Sequence, residues 1–424
     1  MSVTRSARHP PGGIFAPPQR HRRGTGITLY SHRSCILELP NEHRIPLTWL
    51  LANGSEALRY RTARDLAPAG MLSSQDMVTL HKAALDAASA QMIVKKQRAE
   101  VKVKGATADD AEREQILLGT WAGNLLCTGP VPAMEVTDAG TIPHYRRLLQ
   151  MGYTSQMRPI RLAERVLFRL LSRDEHPALY FEYEELADWE PLAGATWARA
   201  LIREAATAAL AEAGHVEDPR VRGSAHTIAN DVSAFLRSPL ADNPFSKPGS
   251  TPVLHPDAHP PSWSSLSMFA AMPNLRRERS GFTERLCKYL SRKADQKTVA
   301  VQLGKKSVKP THLLLGDPID TDEKGNAKDI PVALAFIELF IGIGGKLSEA
   351  PNAHEVLARL FDDCDEKGVW GPKGLRSQPK STNPNVFHLW PLAEEEKGPA
   401  ARQADVTFHL ARLAKLLGWP ITYS

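Results

Sequence analysis

Two helix–glycine–helix junctions constrain this chain more than any other feature. The first runs from a helical pattern over 144–151 through Gly152 and a polar loop to Pro159-Ile160-Arg161. The second runs from 197–213 through Gly214 to Asp218-Pro219-Arg220-Val221, and the two glycines lie 62 residues apart. Glycine just past a helix stops it, and proline in the first helical position starts the next. The downstream helices carry apolar stripes at helical spacing. One is Leu162, Val166, Leu167, Leu170 and Leu171; the other is Val221, Ala225, Ile228, Val232, Phe235 and Leu236. A weaker echo joins Gly345 and a helix over 353–361 to Gly418, which closes a helix over 404–417 with Val406, Leu410, Leu413 and Leu417 on one face. Repeated pairs that cannot bury an apolar face alone imply stacked antiparallel helices, an all-α fold.

The rest of the chain fits that reading. Ser55 caps a helix over 56–67 that Pro68 stops. Helix is predicted over 72–100, a polar loop over 102–112, and no long helix near Pro130 and Pro132. A proline-rich loop spans 240–262, long enough for a functional strap. Helices resume over 262–271 and 282–292. Asp329 caps a helix over 331–343 that is apolar all round and therefore central. Strand is predicted only for 298–303 and 311–315, on either side of Gly304-Lys305-Lys306.

Domain organisation follows. Residues 1–40, rich in Pro, Gly, Arg and His, read as a disordered basic tail. Residues 41–424 read as a single helical-repeat domain. The most apolar run, 330–343, holds Glu338 and is too short to cross a bilayer. Cys35, Cys127, Cys287 and Cys364 lack paired spacing, so a reducing, cytoplasmic setting is expected. The net charge of +6 is concentrated in the tail (Arg5, Arg8, Arg20, Arg22, Arg23) and in 276–309, where eleven Lys/Arg face three acids. Such a face is usually solvated surface; otherwise it meets nucleic acid or anionic lipid. An acidic run over 182–190 reads as a solvated helix or an intramolecular partner for the basic segments.

Chemistry-bearing residues concentrate over 356–390. Asp362, Asp363 and Asp365 flank Cys364 and are the candidate catalytic carboxylates. Gly371-Pro372-Lys373-Gly374-Leu375-Arg376 offers backbone N–H groups with Lys373 and Arg376, a phosphate-loop pattern whose bland reading is a surface turn. Trp263, Phe269, Trp370 and Trp390 are candidate ligand-lining aromatics, with core packing as the default; Met268 and Met272 belong to the same group. His255, Asp257 and His259 alternate in the proline-rich loop and have chelating spacing.

Leu148-Leu149-Gln150-Met151-Gly152-Tyr153, Leu210-Ala211-Glu212-Ala213-Gly214-His215 with Asp218–Val221, and Cys364 through Gly368-Val369-Trp370 resemble the helical-hairpin repeats of the terpenoid cyclase and protein prenyltransferase group. The resemblance implies an α/α toroid, with inner and outer helices around an apolar pocket. The glutamine–tryptophan repeats and the Asp-x-Asp-Asp of the triterpene cyclases are absent. Protein prenyltransferases hold zinc through Asp-x-Cys and a later His. Asp362 and Cys364, with His388 or His409, resemble that set, and the resemblance implies zinc as the cofactor.

Two functions are expected. One is a toroid that binds or transforms an isoprenoid- or lipid-like molecule. The other is an open HEAT-like solenoid, a non-catalytic scaffold whose basic face meets nucleic acid or an acidic protein.

Overall fold

Four helices end on the same closure. Gly152, Gly214, Gly344 and Gly418 have φ of 97°, 97°, 96° and 72°, the left-handed region that glycine enters freely. In each, the glycine N–H and the next residue's N–H return to carbonyls of the last turn. Gly152 and Tyr153 bond Leu149 and Leu148; Gly214 and His215 bond Ala211 and Leu210; Gly344 and Gly345 bond Ile341 and Phe340; Gly418 and Trp419 bond Lys415 and Ala414. The third closure sits on Gly344 rather than Gly345.

The structure is a computed structural model that describes residues 38–101, 107–121, 125–126, 139–172, 176, 178–180, 191–247, 251–294, 298–392 and 398–424. Nearly all of the predicted tail, the prolines at 130 and 132, the acidic run over 182–190, and Cys35 and Cys127 lie outside these residues. The described residues belong to one unit, Leu37–Ser424.

The unit is mostly helical. Its first helices are α1 (Leu47–Asn53), α2 (Glu56–Arg61), α3 (Ser74–Asp86), α4 (Ala88–Lys96), α5 (Ala108–Ile116), α6 (Thr141–Gln150) and α7 (Arg158–Leu171). Then come α8 (Pro191–Glu212), α9 (Pro219–Arg237), α10 (Trp263–Ala271), α11 (Pro273–Glu278), α12 (Ser280–Leu290), α13 (Ile330–Gly342), α14 (Pro351–Asp362) and α15 (Pro399–Leu416). None of these is long and apolar enough to cross a membrane.

Where the elements depart from the sequence pattern, a local bond explains it. The helix expected over 72–100 breaks at Ala87, because the Leu85 carbonyl is taken by Gln91 Nε2 and the Tyr153 hydroxyl. The loop expected over 102–112 turns helical at Ala108, because Thr107 and Asp110 form a capping box. After α2, Thr62–Leu66 widens into a π turn closed by Ala67 N–H on Thr62 O. The second strand pairs earlier than expected. β4 (Val301–Leu303) and β5 (Lys306–Val308) close tightly about Gly304, at φ 59°, and Lys305. Residues 311–315 instead lie against the start of α10, where Trp263 N–H bonds His312 O and Leu314 N–H bonds Pro261 O.

Helix α8 packs on α6, α7, α9 and α10; α10 packs on α13, α13 on α14 and α15, and α15 on α1. Helices α6, α10, α13 and α15 are buried on nearly every side, whereas α7, α9 and α14 bury one face. Each fully buried Leu, Ile or Phe contributes about 1.5–3 kcal/mol, so the apolar stripes fix this arrangement. The two ends of the unit meet: β1 (His43–Ile45) pairs in parallel with β6 (Ile421–Tyr423), and Ser424 N–H bonds Ile45 O. The proline-rich loop is tied by β2 (Phe245–Lys247) against β3 (Val253–Leu254), and Leu254 N–H bonds Ala300 O.

Candidate functional site

The residues expected to gather over 356–390 are divided between surface and core. Asp362, Asp363 and Asp365 are exposed. Asp365 accepts from the N–H groups of Lys367 and Val369, both at 2.9 Å, and so organises a turn. That turn lies against β1: a Cβ on Gly368 would sit 1.9 Å from Arg44 O. Asp365 therefore works in a structural corner, while Asp362 and Asp363 lie exposed at the end of α14. The expected metal ligands are not brought together. Cys364 Sγ donates to Leu360 O at 3.7 Å, and His409 Nδ1 is held by Glu338 at 2.5 Å. Among the described residues, no three His, Cys, Asp or Glu side chains are grouped to hold a metal ion, and His255, Asp257 and His259 are included in that statement.

The four aromatics are core side chains. Trp263 meets Phe336 edge-on at 6.4 Å, and Phe269 meets Phe282 at 5.0 Å. Trp370 is fully buried, and Trp390 stacks on His409 at 4.9 Å while its Nε1 donates to Pro379 O. None of them lines either cavity described below. Lys373 and Arg376 are exposed. In the basic stretch several arginines are engaged internally: Arg276 with the carbonyls of Phe269 and Ala270, Arg279 with Asn230, Arg292 with Asp242.

The room lies elsewhere. A cleft of about 1120 Å³ opens between α8, α9 and the strapped proline-rich loop. That is at the upper end of small-molecule sites, which run to about 1,000 Å³. Its apolar lining includes Trp197, Leu201, Ile228, Val232, Leu254 and Leu313. Ile228, from the predicted α9 stripe, is only half-buried because it faces this space. The lining also carries Arg203, Arg220, Asp231, His255 and His259, and two further titratable groups, Glu204 and His312, are set deeper in the wall. Glu204 is partly accessible from the cleft, and accepts from Ser262 Oγ and Ser265 N–H. Burial raises its pKa, and the hydrogen bonds from Ser262 and Ser265 oppose that rise. His312 is buried, its pKa pushed down to about 4 by desolvation, so its ring is neutral. A carboxyl whose pKa is raised by burial and a neutral imidazole on one wall are groups suited to acid–base work.

A chain of buried charge runs through the interior near this wall. Arg146, on α6, makes a two-pronged pair with Glu212 of α8 at 2.6 and 2.5 Å, and both reach Ser267 of α10. Arg147 bonds the carbonyls of Phe387 and Pro391. Arg61 pairs with Asp65 at 3.1 Å, its guanidinium pushed down to about 10 by burial and then by Arg412. Glu338, the one acid in the apolar α13, accepts from His409 and from Arg412 at 2.9 Å. The desolvation cost of such pairs offsets much of their attraction, but removing one partner strands the other charge in the interior.

Sequence reasoning missed Glu204, His312, Arg146 and Glu212. The signal for the acids was weak: both lie on the alanine-rich α8, beside Arg199 and Arg203 of the same helix. No family model, curated protein or solved structure matches this chain.

Proposed function

We propose that the unit is an α/α toroid-like helical protein whose cleft binds an amphipathic, isoprenoid- or lipid-like molecule. The toroid reading is supported by the succession of α13, α14 and α15, in which a helix burying one face lies between two buried on nearly every side. It is supported too by the pairing of β1 with β6, which joins the two ends. The observation that carries the binding reading is the cleft itself, about 1120 Å³ and lined by apolar side chains together with polar and charged ones. Glu204 and His312 are the groups with which the site would orient a ligand or move a proton on it.

Gly223 gives a clean test. It lies on α9, lines the cleft, and a Cβ there would meet nothing within 4 Å. Gly223→Phe therefore places a ring at the cleft wall with no clash at its Cβ. The expected result is saturable one-to-one binding of farnesol or dodecanol by the full chain, weakened about tenfold or more in Gly223→Phe at unchanged melting temperature. No saturable binding by the wild type, or equal binding by the variant, refutes the reading.

A further inference from the structure

The cleft carries charge of both signs that the described residues do not neutralise. Arg203, on α8, is half-buried in the lining. Its Nε lies 3.5 Å from the Leu170 carbonyl, a weak contact with a neutral group, and among the described residues no carboxylate pairs with it. Arg220 differs: Asp218 holds it at 3.0 and 2.8 Å, and its guanidinium lies over the Phe168 ring at 3.9 Å. A second cavity, of about 40 Å³, lies behind Leu201 and His312 and is lined by Arg146, Asn385 and His388. Those groups belong to a separate space, so a ligand in the cleft is met by the cleft's own side chains.

The negative charge stands on another wall. Asp231, exposed on α9, lines the cleft and among the described residues has no cation paired with it. Burial first, and also the Asp231 charge, raise the Glu204 pKa, so the two carboxyls share one space. Glu204 accepts from Ser262 and Ser265 through Oε1 alone, and its Oε2 has no partner among the described residues. Arg203 and Glu204 are neighbours on α8, their Cα atoms about 3.8 Å apart, so the two signs adjoin. Yet Arg203 and Asp231 line one cleft without pairing across it. A ligand with one charge would satisfy one of them and set its like charge against the other, which disfavours binding. A ligand carrying both charges answers both.

We propose that the cleft takes a zwitterionic amphiphile, with its anionic group on Arg203, its cationic group between Asp231 and Glu204, and its apolar body along Trp197, Leu201 and Ile228. The assignment rests on the cleft reading for the ligand's body, and on the unpaired charges for its head.

The test titrates the full chain by calorimetry, below micelle-forming concentrations, with probes that share a dodecyl chain and differ in the head. They are N-dodecyl-N,N-dimethylglycine, dodecanoate, dodecyltrimethylammonium and dodecanol. Wild type is expected to bind the glycine derivative, which holds both charges, about tenfold tighter than dodecanol and tighter than either singly charged probe. Arg203→Met keeps the apolar stem of the side chain and should fold. It is expected to cost the zwitterion and dodecanoate about threefold or more, and dodecyltrimethylammonium less. Asp231→Asn alters an exposed side chain and should fold. It is expected to cost the zwitterion and dodecyltrimethylammonium about threefold or more, and dodecanoate less. That crossed pattern separates charge recognition from a general loss of structure. A zwitterion that binds no tighter than dodecanol, or that either variant binds as well as wild type, overturns the assignment and leaves the cleft reading standing. If none of the probes binds, both fall together.

Discussion

Glu338→Gln is the sharpest probe of the buried charge. The carboxylate is 8% exposed in the middle of α13, with His409 at 2.5 Å and Arg412 at 2.9 Å. Burial alone would raise its pKa, but Arg412 and then His409 outweigh it and leave the group at about 2, against 4.5 unperturbed. The folded value lies below the unfolded one, so as pH falls the unfolded chain takes up its proton first. The stabilisation is complete above about pH 4.5 and is lost as pH falls towards 2. At 1.36 kcal/mol per pKa unit this amounts to about 3 kcal/mol. Breaking a buried pair costs about 3–5 kcal/mol by mutation, and the 28% exposure of Arg412 lets water soften that loss. Both routes give a loss of about 2–4 kcal/mol at neutral pH for Glu338→Gln. Urea unfolding of both proteins at neutral pH and near pH 3 measures it. The gap between them should shrink in acid, because the wild-type group is being protonated in the unfolded chain. The triple replacement Glu338→Leu, His409→Phe, Arg412→Met should lie much nearer wild type, since it leaves no stranded charge. A single variant within about 0.5 kcal/mol of wild type, or a gap that does not change with pH, refutes the account.

Other outcomes follow from the same geometry. Gly152→Ala should cost more than Gly214→Ala by about 1 kcal/mol or more in urea unfolding. Both glycines are left-handed at φ 97°, but a Cβ on Gly152 would lie 2.7 Å from the Tyr60 ring, while one on Gly214 meets nothing. Gly223→Ala should stabilise by about 0.5–1 kcal/mol, since α9 gains a better helix former with no clash. Cys287 and Cys364 should resist a thiol-reactive disulfide reagent at pH 8 in a Cys35→Ser, Cys127→Ser background, and should label at once in denaturant. Burial, with Glu349 beside the first and Asp365 beside the second, pushes both thiols up to about 12. Fast labelling of the native protein would contradict their placement.

The fold was legible where the signal was local. Gly152 and Gly214 declared their closures, Asp218-Pro219 and Asp329 their caps, and the leucine stripes the buried face of α7. Boundaries slipped where a distant group captured a backbone bond. Tyr153 taking the Leu85 carbonyl broke one helix, and the start of α10 claimed the segment expected to be a strand.

The site was hidden for a different reason. Clustering along the chain misled, because 356–390 gathers its chemistry by sequence and then disperses it, turning its carboxylates outward and its tryptophans inward. The groups that do converge come from far apart: Glu204 with Ser262, Glu338 with His409, Arg146 with Ser267. What sequence does offer is one half of one pair. A lone carboxylate on an otherwise apolar helix cannot be buried charged without a partner, so Glu338 announces that a partner exists. The partner's identity depends on how α8, α10, α13 and α15 are packed, and that is decided by apolar faces which carry no mark of the charge they enclose. His312 and His388 lack even that half-signal. A histidine reads the same in sequence whether it ends in a core or on a cavity wall, and only the packing of distant segments decides which.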